Sequence, residues 1–311
     1  MKLIHYKRGN ESRLACIQEN KVIDLHGAYV SYLKDKGELR AELLAEAEVP
    51  SKAVGFLQGG EKSMSLARKA VEYIENNASE EERKEWILSK EEVKIEAPVQ
   101  NPSKIICVGH NYQEHIREMG RELPTHPVIF AKFANAIIGP QDDIPLKSIT
   151  NKLDYEAEFS FVIGKRAKDV KEEDALDYVA GYTIVNDISA RDLQMRTLQW
   201  LQGKGLDGSA PMGPWLITKD EVPDPDSLDI SLKVNGEVRQ QSNTKNLVFN
   251  VNRLVAFLSE IMTLEPGDVI CTGTPGGVGV ARDPQVFLQD GDTVTIDVGN
   301  IGTLENTVRQ V

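Results

Sequence analysis

Three carboxylates in this chain are spaced to hold a cation. Glu156 and Glu158 lie two apart in LDYEAEFSFVIG, Leu153–Gly164. In a strand, Tyr155, Ala157, Phe159 and Phe161 fall on one face and Glu156, Glu158 and Ser160 on the other. The two glutamates then sit about 6–7 Å apart and can converge on one ion. A lone Glu-x-Glu is more often a solvated strand face. Here the aromatic content and the following Val162-Ile163 mark a central strand. Asp187 closes a second apolar run, Val179–Asn186, and can complete the site from the strand end.

Two unit charges 4 Å apart interact by about 4 kcal/mol at a surface-like dielectric. Three converging carboxylates therefore repel, protonate or bind a cation. An all-oxygen set with no His or Cys suits Mg²⁺, Mn²⁺ or Ca²⁺ rather than zinc. This reading fails if the three groups lie apart, or if lysines and arginines take them up instead.

The second constellation is His115 with Glu118. NYQEHIREMG reads as one short helix, with Asn111 as N-cap, Glu114 as its box partner and Gly120 at the C-terminus. His115 and Glu118 are then i, i+3 neighbours. A carboxylate beside an imidazole orients it and raises its basicity, which suits a general base that activates water. The bland alternative is an incidental pair on a surface helix. A helix this short is marginal alone, and is expected to order when substrate arrives.

Lys204 lies in QGKG, where flanking glycines allow close approach to a ligand; alone, it reads equally as a loop lysine. Arg191 and Gln194 follow Asp187 by four and seven residues and share a helix face with it if a turn starts there. TGTPGGVG, Thr272–Gly279, is not a phosphate loop, because no Lys-Ser/Thr and no helix pattern follow the glycines. It reads as a tight loop whose amides, or the Thr274 hydroxyl, can receive a carboxylate, or as a plain turn.

The elements that must position these residues divide the chain. KLIHY and RLACIQ form a hairpin about Gly9-Asn10, and residues 28–95 carry helical spacing, with the charged run Glu80–Glu85 as a solvated face. Pro98 and Pro102 mark an extended linker. We therefore expect a small N-terminal α/β domain over 1–100 and a working domain over 101–311. Past residue 100 the texture becomes short strands such as IICVG, PVIFAKF, YTIVND and TVTIDVG, with Asn235-Gly236 as a hairpin turn. The expected class is α+β and β-rich.

With 311 residues, 41% of them hydrophobic, there is enough apolar side chain for a full core. The net charge of −12 disfavours nucleic acid and anionic membrane surfaces, so a small anionic substrate would need positive charge supplied by the site. Cys16, Cys107 and Cys271 are widely spaced and read as buried fillers, not a disulfide or zinc framework. No apolar run approaches the about 20 residues of a membrane span and the N-terminus lacks a signal-peptide core, so a cytoplasmic location is expected.

Taken in order, VGHNYQEHIREMG, PVIFAKF, LDYEAEFSFVIG, GYTIVNDISARDLQ, GKGLDGSAPMGPW and GDVICTGTPGGVG resemble the fumarylacetoacetate hydrolase family, from about Lys104 to the C-terminus. The resemblance implies a mixed β-roll or barrel-like sandwich, usually dimeric. It implies metal ligands at Glu156, Glu158 and Asp187, and a His115–Glu118 dyad on a lid-like segment. It also implies catalytic or substrate-contacting positions at Arg191, Gln194, Lys204 and Thr274. The expected activity is cleavage of the C–C bond of an acylpyruvate-like 2,4-dioxo acid with Mg²⁺ or Mn²⁺. Oxaloacetate decarboxylation and isomerisation of a 2-hydroxyhepta-2,4-diene-1,7-dioate type of diacid are alternatives on the same scaffold. A non-catalytic assembly or regulatory protein is a remote one, as is a metal-free carbohydrate enzyme with paired carboxylates.

Overall fold

In the computed structural model, which describes all residues 1–311, Ala157–Ile163 forms the strand its alternation predicts. It is central: it pairs antiparallel with Val179–Asn186 on one side and Val269–Cys271 on the other. All seven of its residues are buried, because both faces of the sheet are covered. Phe159, Phe161 and Ile163 enter one apolar core, and Val162 enters a second on the opposite face.

Across the main sheet the strands run Ile87–Ser89, Lys21–Asp24, Glu11–Gln18, Lys2–Arg8, Ala210–Thr218, Val179–Asn186, Ala157–Ile163, Val269–Cys271, Ile105–Gly109 and Val128–Lys132. A second sheet orders Glu237–Asn243, Asp229–Val234, Thr293–Val298, Gly302–Gln310 and Ile144–Leu146. Its inward residues Ile230, Leu232 and Ile296 share the core of Phe159 and Phe161. This is the expected β-rich architecture of α and β elements, built from open sheets rather than a closed barrel. Asn235 and Gly236 both have positive φ, 52° and 81°, as a two-residue hairpin turn between twisted strands requires.

The N-terminal hairpin forms about Gly9, and five helices follow between Leu25 and Trp86. Lys2–Arg8 also pairs with Ala210–Thr218, so the hairpin extends the main sheet. His5 helps to seat this region. Its Nε2 accepts from the Ala53 amide at 3.3 Å, which leaves Nδ1 to donate to the Pro98 carbonyl at 3.1 Å. All three cysteines are free and buried. No helix is long and apolar enough to cross a membrane.

Candidate active site

The strand Ala157–Ile163 and the end of Val179–Asn186 bring the three carboxylates together. One oxygen from each of Glu156, Glu158 and Asp187 lies within 4.8 Å of the others, and all three side chains are buried. The ladder explains this: Ala157 sits opposite Asn186, and the Asp187 amide donates to the Glu156 carbonyl at 2.9 Å. Residues far apart in sequence thus meet through backbone register.

These carboxylates do not stand alone. Lys204 Nζ donates to Glu156 Oε2 at 2.8 Å and to Asp187 Oδ2 at 2.6 Å. Lys132 Nζ donates to Asp187 Oδ1 at 2.8 Å and to the Ile188 carbonyl at 3.1 Å. Arg191 Nη2 lies 2.7 Å from Glu156 Oε1, while its Nε donates to Asp154 Oδ2 and its Nη1 to Gln194 Oε1. The expectation of carboxylates free of basic partners is therefore corrected for Glu156 and Asp187, which lysines and an arginine engage, and stands only for Glu158. Glu158 is different: no cation pairs with it, and its Oε2 accepts only the Gly273 amide, at 2.8 Å. Its carboxyl is pushed well above the usual carboxylate range, first by burial and then by the neighbouring Asp187. Burial also works against ionisation of Glu156, but Lys204 and Arg191 prevail and hold its carboxyl below the usual range. The same carboxylates raise the Lys204 ammonium against its burial.

Four buried carboxylates, counting Asp154, face three buried cations, Lys132, Arg191 and Lys204. Glu158 is the carboxyl that no cation partners, and its burial beside Asp187 favours its proton until a cation is supplied. A hard, all-oxygen donor set with one uncompensated carboxylate fits a small divalent cation such as Mg²⁺ or Mn²⁺. Ca²⁺ shares that donor preference; thiophilic metals do not.

His115 faces the same cavity, and its Nδ1 lies 3.3 Å from Glu118 Oε2. Glu118 is itself fixed by the Gly277 amide, which donates to both of its oxygens at 2.9 and 3.1 Å. With Nδ1 donating to Glu118, Nε2 is the basic nitrogen. The helix Gln113–Glu118 is formed and anchored, since Glu114 Oε1 accepts from Ser242 and Asn246.

The capping box expected for this helix is absent. Tyr112 is the N-cap residue, without a side-chain bond. Asn111 instead donates to the Phe249 and Thr272 carbonyls and accepts the Phe249 amide. Three long-range bonds to buried backbone outweigh one local cap. The shared helix face expected for Asp187, Arg191 and Gln194 is also corrected. A short strand, Ser189–Ala190, intervenes, and only Arg191 and Gln194 lie on the helix Arg191–Gln194.

The glycine-rich loop binds carboxylates, but those of the protein. Gly273 takes Glu158, Gly277 takes Glu118, and the Gly279 and Val280 amides take Asp154 at 2.8 and 3.0 Å. Glycine is required at 277, where φ is +105° and a Cβ would lie 2.0 Å from the Arg239 carbonyl. The Thr274 hydroxyl accepts from Gln240 Nε2 at 2.8 Å and faces the cavity.

That cavity, of about 120 Å³, is lined by His115, Glu156, Glu158, Arg191, Gln194, Lys204 and Thr274. Lys132, His110 and Arg121 were not anticipated from the sequence. Lys132 hides as the one charge in the apolar run VIFAK. His110 and Arg121 line the same cavity.

Residues 104–309 match the family model described as fumarylacetoacetate (FAA) hydrolase C-terminal. The chain is 43% identical over 278 residues to an oxaloacetate tautomerase, fahd2, mitochondrial, of Xenopus laevis, covering 89% of this chain and 84% of that one. Among solved structures, a fumarylacetoacetate hydrolase from Exiguobacterium antarcticum is 32% identical with a TM-score of 0.79, and each chain is covered to 100%. A maleylpyruvate hydrolase from Sphingobium sp. SYK-6, in complex with manganese (II) ion and pyruvate, is 28% identical with a TM-score of 0.74. That match covers 100% of this chain and 99% of the hydrolase.

Proposed function

The chain belongs to the fumarylacetoacetate hydrolase family, and from that membership we propose a divalent-metal-dependent enzyme that enolises small 2-oxo acids, with keto–enol interconversion of oxaloacetate as its main reaction. One observation carries this reading: three carboxylates within 4.8 Å, two of them in the wall of a cavity shared with His115, Arg191 and Lys204. The relative named as an oxaloacetate tautomerase supports the choice of substrate. The division near residue 100, with catalysis assigned to 101–311, is part of the same proposal.

Glu156, Glu158 and Asp187 would hold Mg²⁺ or Mn²⁺, and such an ion supplies Lewis-acid polarisation of a 2-oxo group. His115 Nε2 takes a proton from C3, and Glu118 stabilises the imidazolium through Nδ1. The C3–H electron pair becomes the C2=C3 bond, the C2=O π pair moves to oxygen, and that oxygen takes up a proton as His115 gives its own back, so the enol forms and the dyad is restored. Lys204 places positive charge beside that developing oxyanion. Arg191, held by Asp154 and Gln194, orients the 1-carboxylate, and Thr274 adds a hydroxyl donor at the same wall.

The dyad geometry favours one further reading. An imidazole polarised by Glu118 also suits deprotonation of water for C–C hydrolysis of an acylpyruvate, with the leaving pyruvate enolate held in the same place. Oxaloacetate decarboxylation and diacid isomerisation share that enolate. Incubating the purified chain with oxaloacetate, acetylpyruvate and fumarylpyruvate, with and without Mg²⁺, separates these reactions. Metal-dependent loss of the oxaloacetate enol signal without pyruvate release supports tautomerisation. Pyruvate release from the acylpyruvates, with the oxaloacetate enol signal unaltered, replaces it with hydrolysis.

A further inference from the structure

The cavity is also lined by groups that enolisation does not use. Arg121 lines it, is exposed, and pairs with no carboxylate of the chain. A helix stop aims it there. Gly120 has φ +64°; its amide donates to the Arg117 carbonyl and the Arg121 amide to the Ile116 carbonyl, both at 3.0 Å. This paired closure reverses the chain after the helix Gln113–Glu118, the helix that bears His115.

His110 lines the same cavity from the opposite end of that segment. Its backbone is left-handed, φ +52°, which is uncommon outside glycine. Its ring stacks on His115, with centroids 6.0 Å apart, and meets Trp200 edge-on at 5.5 Å. Both ring nitrogens are buried and neither has a hydrogen-bond partner. Burial, helped by Arg121 and His115, pushes its pKa down to about 4, so the ring is neutral with one N–H to give. A buried polar group left unpaired in the protein calls for a partner from elsewhere.

With its carboxylate and 2-oxo oxygen at the cation that Glu156, Glu158 and Asp187 would hold, a 2-oxo acid has the rest of the same cavity, lined by His110 and Arg121, for its remaining carbons. A free guanidinium and a spare imidazole N–H there are donors without an acceptor. They complement an anionic end group, not an alkyl one. We propose that Arg121 and His110 receive the second carboxylate of the substrate, making this chain selective for 2-oxo dicarboxylates over 2-oxo monocarboxylates. This rests on the enolisation reading for the placement of the first carboxylate.

The test uses non-reacting probes, so it does not depend on turnover. L-malate and L-lactate are 2-hydroxy acids that differ by the distal carboxylate. Calorimetric titration of the Mn²⁺-loaded chain is expected to show malate binding more tightly than lactate. Arg121→Ala should lower that malate-to-lactate ratio by about tenfold or more, with partial retention in Arg121→Lys. His110→Leu should lower it less. The proposal is overturned if the wild-type ratio is near one, or if Arg121→Ala leaves it within about twofold. Tighter binding of an apolar-tailed 2-oxo acid than of malate would also overturn it. Malate selectivity without any metal-dependent turnover would sink the enolisation reading while leaving the dicarboxylate site standing. Turnover without malate selectivity does the reverse.

Discussion

The ammonium of Lys204 lies 2.6 Å from Oδ2 of Asp187, and both side chains are buried. Lys132 approaches the other oxygen of the same carboxylate at 2.8 Å. Removing one partner from such a group strands a buried charge, which costs about 3–5 kcal/mol. Lys204→Met is therefore expected to melt well below wild type in a chelator. Mn²⁺ should restore much of the loss, because the freed Glu156 and Asp187 oxygens gain a cation. A melting temperature in Lys204→Met that ignores Mn²⁺ would show that these carboxylates do not face a metal.

His115→Gln removes the proposed base. We expect kcat for oxaloacetate enolisation to fall by about 10²–10⁴-fold, with Mn²⁺ affinity retained. Glu118→Gln should fall less, since His115 keeps its place. An unchanged kcat in His115→Gln would assign the proton transfer to another group.

Gly277 is held at φ +105° against the Arg239 carbonyl, and its amide positions Glu118. Gly277→Ala should destabilise the fold by about 1–3 kcal/mol and depress kcat through Glu118. A denaturant midpoint equal to wild type would mean that the loop adapts.

Much of this site was legible where local periodicity decides the outcome. The alternation of Tyr155, Ala157, Phe159 and Phe161 gave the facing of Glu156 and Glu158, because a strand has only two faces. Lys132 was not legible. Its strand Val128–Lys132 reaches the site only through pairing with Ile105–Gly109, a register no local pattern encodes. Asn111 misled for the same reason. Its type and position suit a cap, but partners at Phe249 and Thr272, more than a hundred residues away, took its side chain. His110 lies inside VGHNYQEHIREMG but has no partner at a spacing that marks chemistry, and Arg121 lines the same cavity only because the chain reverses at Gly120.

His5 supplies a pH dependence remote from the site. Burial lowers its pKa to about 4 from an ordinary 6.5. Above pH 6.5 the ring is neutral both folded and unfolded, and its full contribution is present. As the pH falls, the unfolded chain takes up a proton that the folded chain refuses until about pH 4. Stability linked to His5 should therefore drop by about 3 kcal/mol across that window. Denaturant titrations from pH 7 to 4 should give a shallower fall in His5→Gln than in wild type. Parallel curves would show that His5 titrates normally in the fold.

The proposed metal site is tested most directly by calorimetric titration of the chelator-treated chain with Mn²⁺, wild type against Glu158→Gln. Glu158 is the carboxylate without a cationic partner, so its neutralisation disturbs no ion pair. The expected result is one saturable Mn²⁺ per wild-type chain and about tenfold or greater weakening in Glu158→Gln, with both proteins folded. Mn²⁺ binding of equal strength in the two proteins, or none in either, contradicts a cation held by Glu156, Glu158 and Asp187.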